Sequence, residues 1–221
     1  MLKRTDLTGN PNLGVYISVN DDVAIVPLNL PDEKQDIIRE TLNVEVIKTS
    51  IAGSNLIGAL SVGNSNGFLV SPYIEDRELE TLESAGLNII KLKDKFTAVG
   101  NVIALNDTAA MVNPSLSKDS IKTIENELNV EVVPASISKL DIIGSLITVT
   151  NKGFLLYRDS TPAEVNFVEE TFKVQGDIGT VGRGITLVGA CSIANKSGVI
   201  VGENTTGPEM ARLEESLGFL D

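Results

Sequence analysis

Gly58-Ala59-Leu60-Ser61-Val62-Gly63-Asn64 (GALSVGN) sets a glycine, a short β-prone run and an asparagine in one order, and that order recurs along the whole chain. The copies are Gly14 to Asn20 (GVYISVN), Gly58 to Asn64, Gly100 to Asn106 (GNVIALN), Gly144 to Asn151 (GSLITVTN, one residue longer) and Gly189 to Asn195 (GACSIAN). Their asparagines are spaced by 44, 42, 45 and 44 residues, and self-similarity at a fixed period marks a repeat architecture. Five such periods fill the 221 residues, so the chain reads as one domain with repeats at 14–57, 58–99, 100–143, 144–188 and 189–221, the last completed by 1–13.

Working outward from the third copy, Val102 to Leu105 reads as a strand, Asn106-Asp107-Thr108 as a turn and Ala109 to Val112 as a second strand. Asn113-Pro114-Ser115 then breaks the sheet. Ser117 stands where an N-cap belongs, Ile121, Ile124 and Leu128 make one apolar helix face, and Val130 to Val133 reads as a third strand. The unit is ββαβ. In the fourth copy Thr161-Pro162-Ala163-Glu164 is a capping box with proline at the first helical position, and Val165, Val168 and Phe172 form the apolar stripe.

The fifth copy has a hairpin and a helix (Met210, Leu213, Leu217) but no third strand after them. The missing piece is matched at the other end. Residues 4–14 (RTDLTGNPNLG) align with 48–58 (KTSIAGSNLIG) at an offset of 44, pairing Arg4 with Lys48, Leu7 with Ile51 and Gly14 with Gly58. A row of repeats that takes its last strand from its own start is a closed ring, which needs no capping repeats and exposes no sheet edge there. The expected fold is therefore α/β: five ββαβ units about a pseudo-fivefold axis, with sheets lining the axis and helices outside.

Such a ring resembles the pentein fold, an α+β propeller whose enzymes attack guanidinium carbons with a cysteine thiolate helped by histidine. This chain has no histidine. Its one cysteine, Cys191, falls in the apolar first strand of the fifth copy and reads as a small buried filler. No metal-ligand pair, GxxxxGK or GxGxxG occurs, and Gly179-Thr180-Val181-Gly182-Arg183-Gly184 has the wrong order for a phosphate cradle. A net charge of −12 argues against a protein that wraps nucleic acid with its whole surface, leaving only a local basic patch as compatible, and with 4 % aromatic residues and no Trp the sequence shows no stacking platform for single-stranded bases. With no apolar leader and no long apolar run, the expectation is a cytoplasmic monomer without membrane, free nucleic acid, metal or cofactor.

What remains is the hairpin end. Asparagine suits tight turns through αL tolerance and bonds to its own backbone. All five turns should emerge together, and loops on a rigid scaffold often carry function. They are not equivalent in charge, since Asp21, Asp22 and Asp107 make the first and third acidic while Lys152 and Lys196 make the fourth and fifth basic.

SIAGSNLIG (Ser50 to Gly58), VGNSNGFLV (Val62 to Val70), GNVIALND (Gly100 to Asp107), the VEV strand at Val130 to Val132 and GTVGRG (Gly179 to Gly184) resemble the translation initiation factor 6 family in its archaeal form. Gly182 stands where the family has asparagine. The resemblance implies a non-catalytic pentein that binds the intersubunit face of the large ribosomal subunit, near ribosomal protein uL14 and the sarcin-ricin loop, and sterically prevents small-subunit joining. It maps an interface turn onto Leu105, Asn106 and Asp107. By symmetry Asn64, Asn151 and Asn195 join it, with Lys152 and Lys196 as the basic neighbours. The competing reading is a guanidino-group enzyme with Cys191 as nucleophile and a carboxylate or Arg183 in place of histidine.

Overall fold

Residues 1–7 and 9–220, as described by a computed structural model, form five three-stranded sheets of one plan. Thr8, inside the N-terminal match, and Asp221, the last residue of the fifth copy, lie outside them. In each sheet an inner strand pairs antiparallel with a middle strand, and the middle strand pairs parallel with an outer one. The inner strands are Ser18–Val19, Ser61–Asn64, Ile103–Leu105, Ile147–Val149 and Ser192–Ala194. The middle strands are Val23–Pro27, Gly67–Val70, Ala109–Val112, Phe154–Tyr157 and Val199–Gly202.

A long helix links middle to outer strand, since parallel strands need such a crossover. Asp32–Leu42, Asp76–Ser84, Lys118–Leu128 and Pro162–Phe172 lead to Glu45–Thr49, Ile89–Lys91, Glu131–Pro134 and Gly176–Gly179. Their ends carry the signals read in the sequence. Ser117 accepts from Ser120 N, Thr161 and Glu164 close a capping box, and Asn43 and Asn129 stop their helices in the left-handed region at φ 52. The fifth helix, Gly207–Ser216, is followed by no strand among the described residues. Its sheet is completed by Leu2–Thr5, with Leu2 opposite Val199 and Thr5 opposite Gly202 in parallel register.

One element was absent from the sequence reading. Each inner strand is preceded by a single helical turn: Leu13–Tyr16, Ile57–Leu60, Val99–Val102, Ile143–Leu146 or Val188–Cys191. Val102 thus ends a helix rather than opening a strand, and so does Cys191. The recurrent glycine is the second residue of each turn. It is there for space: a Cβ on Gly100 would lie 1.9 Å from the carbonyl oxygen of Gly58, and one on Gly14 would lie 2.0 Å from that of Gly189. The fifth unit therefore meets the first as each other unit meets its neighbour.

The apolar cores lie between units. Leu69, Ile90 and Leu92 of the second pack with Ile103, Val112, Ile124 and Leu128 of the third, and Ile193 and Ile200 of the fifth pack with Leu13, Val26, Ile38 and Leu42 of the first. A unit on its own would leave half of each core in water, at about 25 cal/mol for every Å² of apolar surface exposed.

A polar contact repeats at the same junctions. The third residue of each long helix faces the loop that follows the preceding unit's outer strand, where left-handed residues such as Ala52, Ser138 and Arg183 turn amides inward. Glu78 accepts from Ala52 N (2.7 Å), Gly53 N (2.9 Å) and Ser50 Oγ (2.5 Å); Glu164 accepts from Ser138 N at 2.5 Å. Glu209 accepts from Gly184 N (2.8 Å), Arg183 N (3.1 Å) and Thr180 Oγ1 (2.8 Å). In the third helix the polarity is reversed, with Ser120 Oγ donating to Asp94 on the loop at 2.8 Å. In the first helix Lys34 donates to Thr5 Oγ1 at 2.9 Å beside Asp6. Burial pushes the Glu209 carboxyl up, but the donors from Thr206, Gly184 and Thr180 together outweigh it and hold it at about 2.

Two outcomes follow. Deleting Met1 to Gly9 removes an entire strand and should cost well over the ~0.5 kcal/mol typical of surface changes in urea unfolding; a smaller loss would show that the N-terminal strand does not close the fifth sheet. Glu209 has a depressed carboxyl, so its contribution is complete above pH 4.5 and is lost as pH falls toward 2. Glu209→Gln should then cost about 1.5–3 kcal/mol at neutral pH, and the gap from the parent chain should close on acidification. A gap independent of pH would count against this link.

Candidate functional site at the asparagine turns

Asparagine carries both a donor and an acceptor on one short side chain, and the turns use both. Asn106 Oδ1 accepts from Thr108 N (2.9 Å) and Ala109 N (3.0 Å), fixing its own turn. Its Nδ2 donates onward to the next unit, to Thr150 O (3.3 Å) and to Phe172 O (3.1 Å) at the end of that unit's long helix. Asn64 makes the same pair of bonds to Asn106 O (3.3 Å) and Leu128 O (3.2 Å), and Asn195 to Asn20 O (3.1 Å) and Leu42 O (2.8 Å). Asn20 reaches Asn64 O at 2.8 Å. The amides thus stitch fifth to first, first to second, second to third and third to fourth.

The fourth turn breaks the series. Thr150, not Asn151, occupies the column of Asn20, Asn64, Asn106 and Asn195, and its hydroxyl folds back on Gly153 O at 3.2 Å. Asn151 belongs to the next column, with Asp21, Ser65, Asp107 and Lys196. That column forms a second, outer network. Asn151 Nδ2 donates to both Asp21 Oδ2 (2.9 Å) and Asp107 Oδ2 (2.8 Å). Asp107 N donates to Asn151 Oδ1, Ser65 N to Asp107 Oδ1, and Lys196 N to Asp21 Oδ1, at 3.0, 2.9 and 2.9 Å. The cavity enclosed by the turns measures about 40 Å³, which suits water and is far below the ~300 Å³ of a ligand pocket.

The eight residues marked in the sequence are therefore at two depths. Leu105, Asn64, Asn106 and Asn195 are buried, between 2 and 6 % exposed, and their side chains hold units together. Asn151, Lys152 and Lys196 are exposed and Asp107 is half-buried. The amides of Asn64, Asn106 and Asn195 are taken up by carbonyls of the neighbouring units. The sequence marked Asp21 only as an acidic turn residue, not as the group that ties Asn151 to Lys196, and gave no role to Thr150. The signal was present, because each of Asp21, Ser65, Asp107, Asn151 and Lys196 lies seven residues after the glycine of its copy, once the fourth copy is aligned from its glycine rather than its asparagine. Lys152 carries its ammonium 5.6 Å from the Phe219 ring. Among the described residues no three His, Cys, Asp or Glu side chains converge as metal ligands, and no helix is long and apolar enough to cross a membrane.

A family model described as the eIF-6 family matches residues 2–216. The chain belongs to that family. It is 57 % identical over 221 residues to translation initiation factor 6 of Methanobrevibacter smithii, covering 100 % of this chain and 99 % of the relative. It is 41 % identical to translation initiation factor 6 of Pyrococcus abyssi, covering 99 % of each. The family is one of translation initiation factors and is not named for a catalytic activity. A solved structure of C. jejuni agmatine deiminase aligns with a TM-score of 0.39 and 14 % identity, covering 61 % of this chain and 52 % of its own.

Replacing Asn106 by Asp exchanges two donors for an acceptor that faces the carbonyls of Thr150 and Phe172. Asn106→Asp should cost at least about 2 kcal/mol in equilibrium unfolding, since buried carbonyls lose their partners and meet a like dipole. A stability within ~0.5 kcal/mol of the parent would place this side chain outside the packing between units.

Proposed function

We propose that this chain is a ribosome anti-association factor: it binds the large subunit at its intersubunit face and sterically keeps the small subunit away. Family membership across the full length carries this reading. In it, the five units form the closed ring of a pentein, a single domain acting as a cytoplasmic monomer, and the turn end docks near ribosomal protein uL14 and the sarcin-ricin loop.

The geometry supports a docking role for that end. A rigid platform loses little conformational freedom on binding, and the two networks of bonds hold the turns against the long helices. Asp107 and Asp22 on one side and Lys152 and Lys196 on the other give the platform a polarity, which fixes orientation on a charged partner more than it adds affinity. Leu105, Asn64, Asn106 and Asn195 serve this surface from beneath, while Asn151 spans it. The catalytic alternative gains nothing from the environment of Cys191. Burial pushes its thiol up to about 11, so it is protonated at neutral pH, and its Sγ is 3.1 Å from Asn12 Oδ1, a group that cannot serve as a base.

The test is sedimentation through sucrose gradients with purified archaeal subunits. The protein should travel with large subunits and abolish joined ribosomes. Lys152→Ala combined with Lys196→Ala should weaken co-migration about tenfold or more, because the basic side of the platform is then gone, while loss of the Lys196–Asp21 ion pair at 3.6 Å costs no more than about 1 kcal/mol of stability. If the parent chain stays at the top of the gradient while subunits join, the proposal fails; if only the double variant behaves as the parent, the basic turns lie outside the contact.

A further inference from the structure

The end of the molecule opposite the turns carries a different surface. Each inner strand runs from its short helix to the turn, and the middle and outer strands run back. Residues that follow Gly67–Val70 and Ile89–Lys91, and those that open Lys118–Leu128, therefore meet at the far end, between the second and third units. They line an open groove of about 560 Å³, with Pro72, Tyr73, Lys93, Asp94 and Lys95 on one side and Ser115 and Ser117 on the other.

Three features of the groove point one way. Tyr73 is 70 % exposed, and its ring meets no aromatic or cationic partner among the described residues. Nothing in the fold of this chain needs an aromatic face there. Lys93 and Lys95 are exposed and, among the described residues, neither ammonium is in an ion pair; Lys95 lies 5.0 Å from the Phe96 ring. The single carboxylate, Asp94, is turned inward. Its oxygens accept from Ser117 N (2.9 Å), Ser120 Oγ (2.8 Å) and Phe96 N (3.3 Å), so its charge is spread into the protein's own donors. A chain of net charge −12 thus keeps a small cationic groove with an unused ring.

We propose that this groove binds a single-stranded RNA segment, with one base stacked on Tyr73 and the flanking phosphates on Lys93 and Lys95. Every base has a π-face, so stacking on a lone tyrosine is tolerant of sequence, and lysines neutralise phosphates without reading bases. The hydroxyl of Ser115, without a hydrogen-bond partner among the described residues, is a donor and acceptor suited to a ribose 2′-OH. A phosphorylated peptide fits less well, because recognition of its phosphate favours an arginine fork and no arginine lines the groove. The net charge excludes nucleic acid wrapped over the whole surface, and it does not exclude this patch. The groove shares no lining residue with the turns, so it goes beyond the function proposed above, and RNA binding there does not rest on it.

The experiment is a fluorescence anisotropy titration of the full chain against a labelled uridine hexanucleotide over a range of salt. The parent should bind saturably at low salt. Tyr73→Ala, at a position whose exposure leaves the fold untouched, should weaken binding about fivefold or more. Lys93→Ala with Lys95→Ala should lower the slope of log affinity against log salt by about 1.4, two phosphate contacts at ~0.7 each. All these variants should still travel with large subunits in gradients, which separates this site from the turn end. The proposal is overturned if the parent shows no saturable binding, if Tyr73→Ala binds within twofold of it, or if a phosphoserine peptide displaces the oligonucleotide as well as unlabelled uridine hexanucleotide does.

Discussion

Backbone meets backbone at the centre of this molecule, and the rest of the structure depends on that approach. A Cβ on any of Gly14, Gly58, Gly100, Gly144 or Gly189 would come within 1.9–2.1 Å of the neighbouring unit's glycine carbonyl, far inside carbon–oxygen contact. No side chain can be accommodated at any of the five positions. The short helices are therefore held at the smallest separation that peptide groups allow, and this fixes how far apart the inner strands begin. The asparagine amides, six residues along, reach the next unit only because that distance is short, and their bonds of 2.8–3.3 Å measure it.

Close approach would be of little use if the units could slide, and the periphery prevents sliding in a different way. At each junction the third residue of a long helix engages the preceding loop, but the chemistry varies: a carboxylate on amides at Glu78, Glu164 and Glu209, a hydroxyl on a carboxylate at Ser120, an ammonium beside Asp6 at Lys34. The demand is for a matched pair across the junction, and either partner can bring the charge. The interior repeats strictly because steric fit has one solution, whereas a hydrogen bond can be made from either side.

Much of this was legible in the residues. Fixed spacing gave the number of units, the 44-residue offset placed Leu2–Thr5 in the fifth sheet, and Thr161-Pro162-Ala163-Glu164 announced its helix. The one-turn helices were not legible. Four residues without a cap or an apolar stripe carry no periodicity, and β-branched Val15 and Val102 fall in runs that read as β-prone. Nor could a turn asparagine show which way its amide points. Residues suited to a turn on solvent and to a buried link between units are the same, and only the carbonyls of Phe172, Leu128 and Leu42 decide between them. The residues marked in the sequence thus lie in two columns, a buried one that links units and an outer one that crosses the mouth.

The exception at the fourth turn explains the character of that surface. Threonine at 150 is too short to reach the fifth unit, so the link made by asparagine elsewhere is absent. Contact is restored by bare backbone, since a Cβ on Gly153 would lie 2.3 Å from Ser216 O. With the inner link gone, Asn151 can extend outward across the mouth to Asp21 and Asp107, drawing the first and third turns toward the fourth. Lys152 follows it on the exposed rim and rests against Phe219. Asp21, Asp22 and Asp107 in the first and third turns and Lys152 and Lys196 in the fourth and fifth give the face an acidic side and a basic side. In the other four turns the asparagine amide is used on the neighbouring unit; at the fourth, where threonine takes that place, the asparagine one position on directs its amide across the mouth instead.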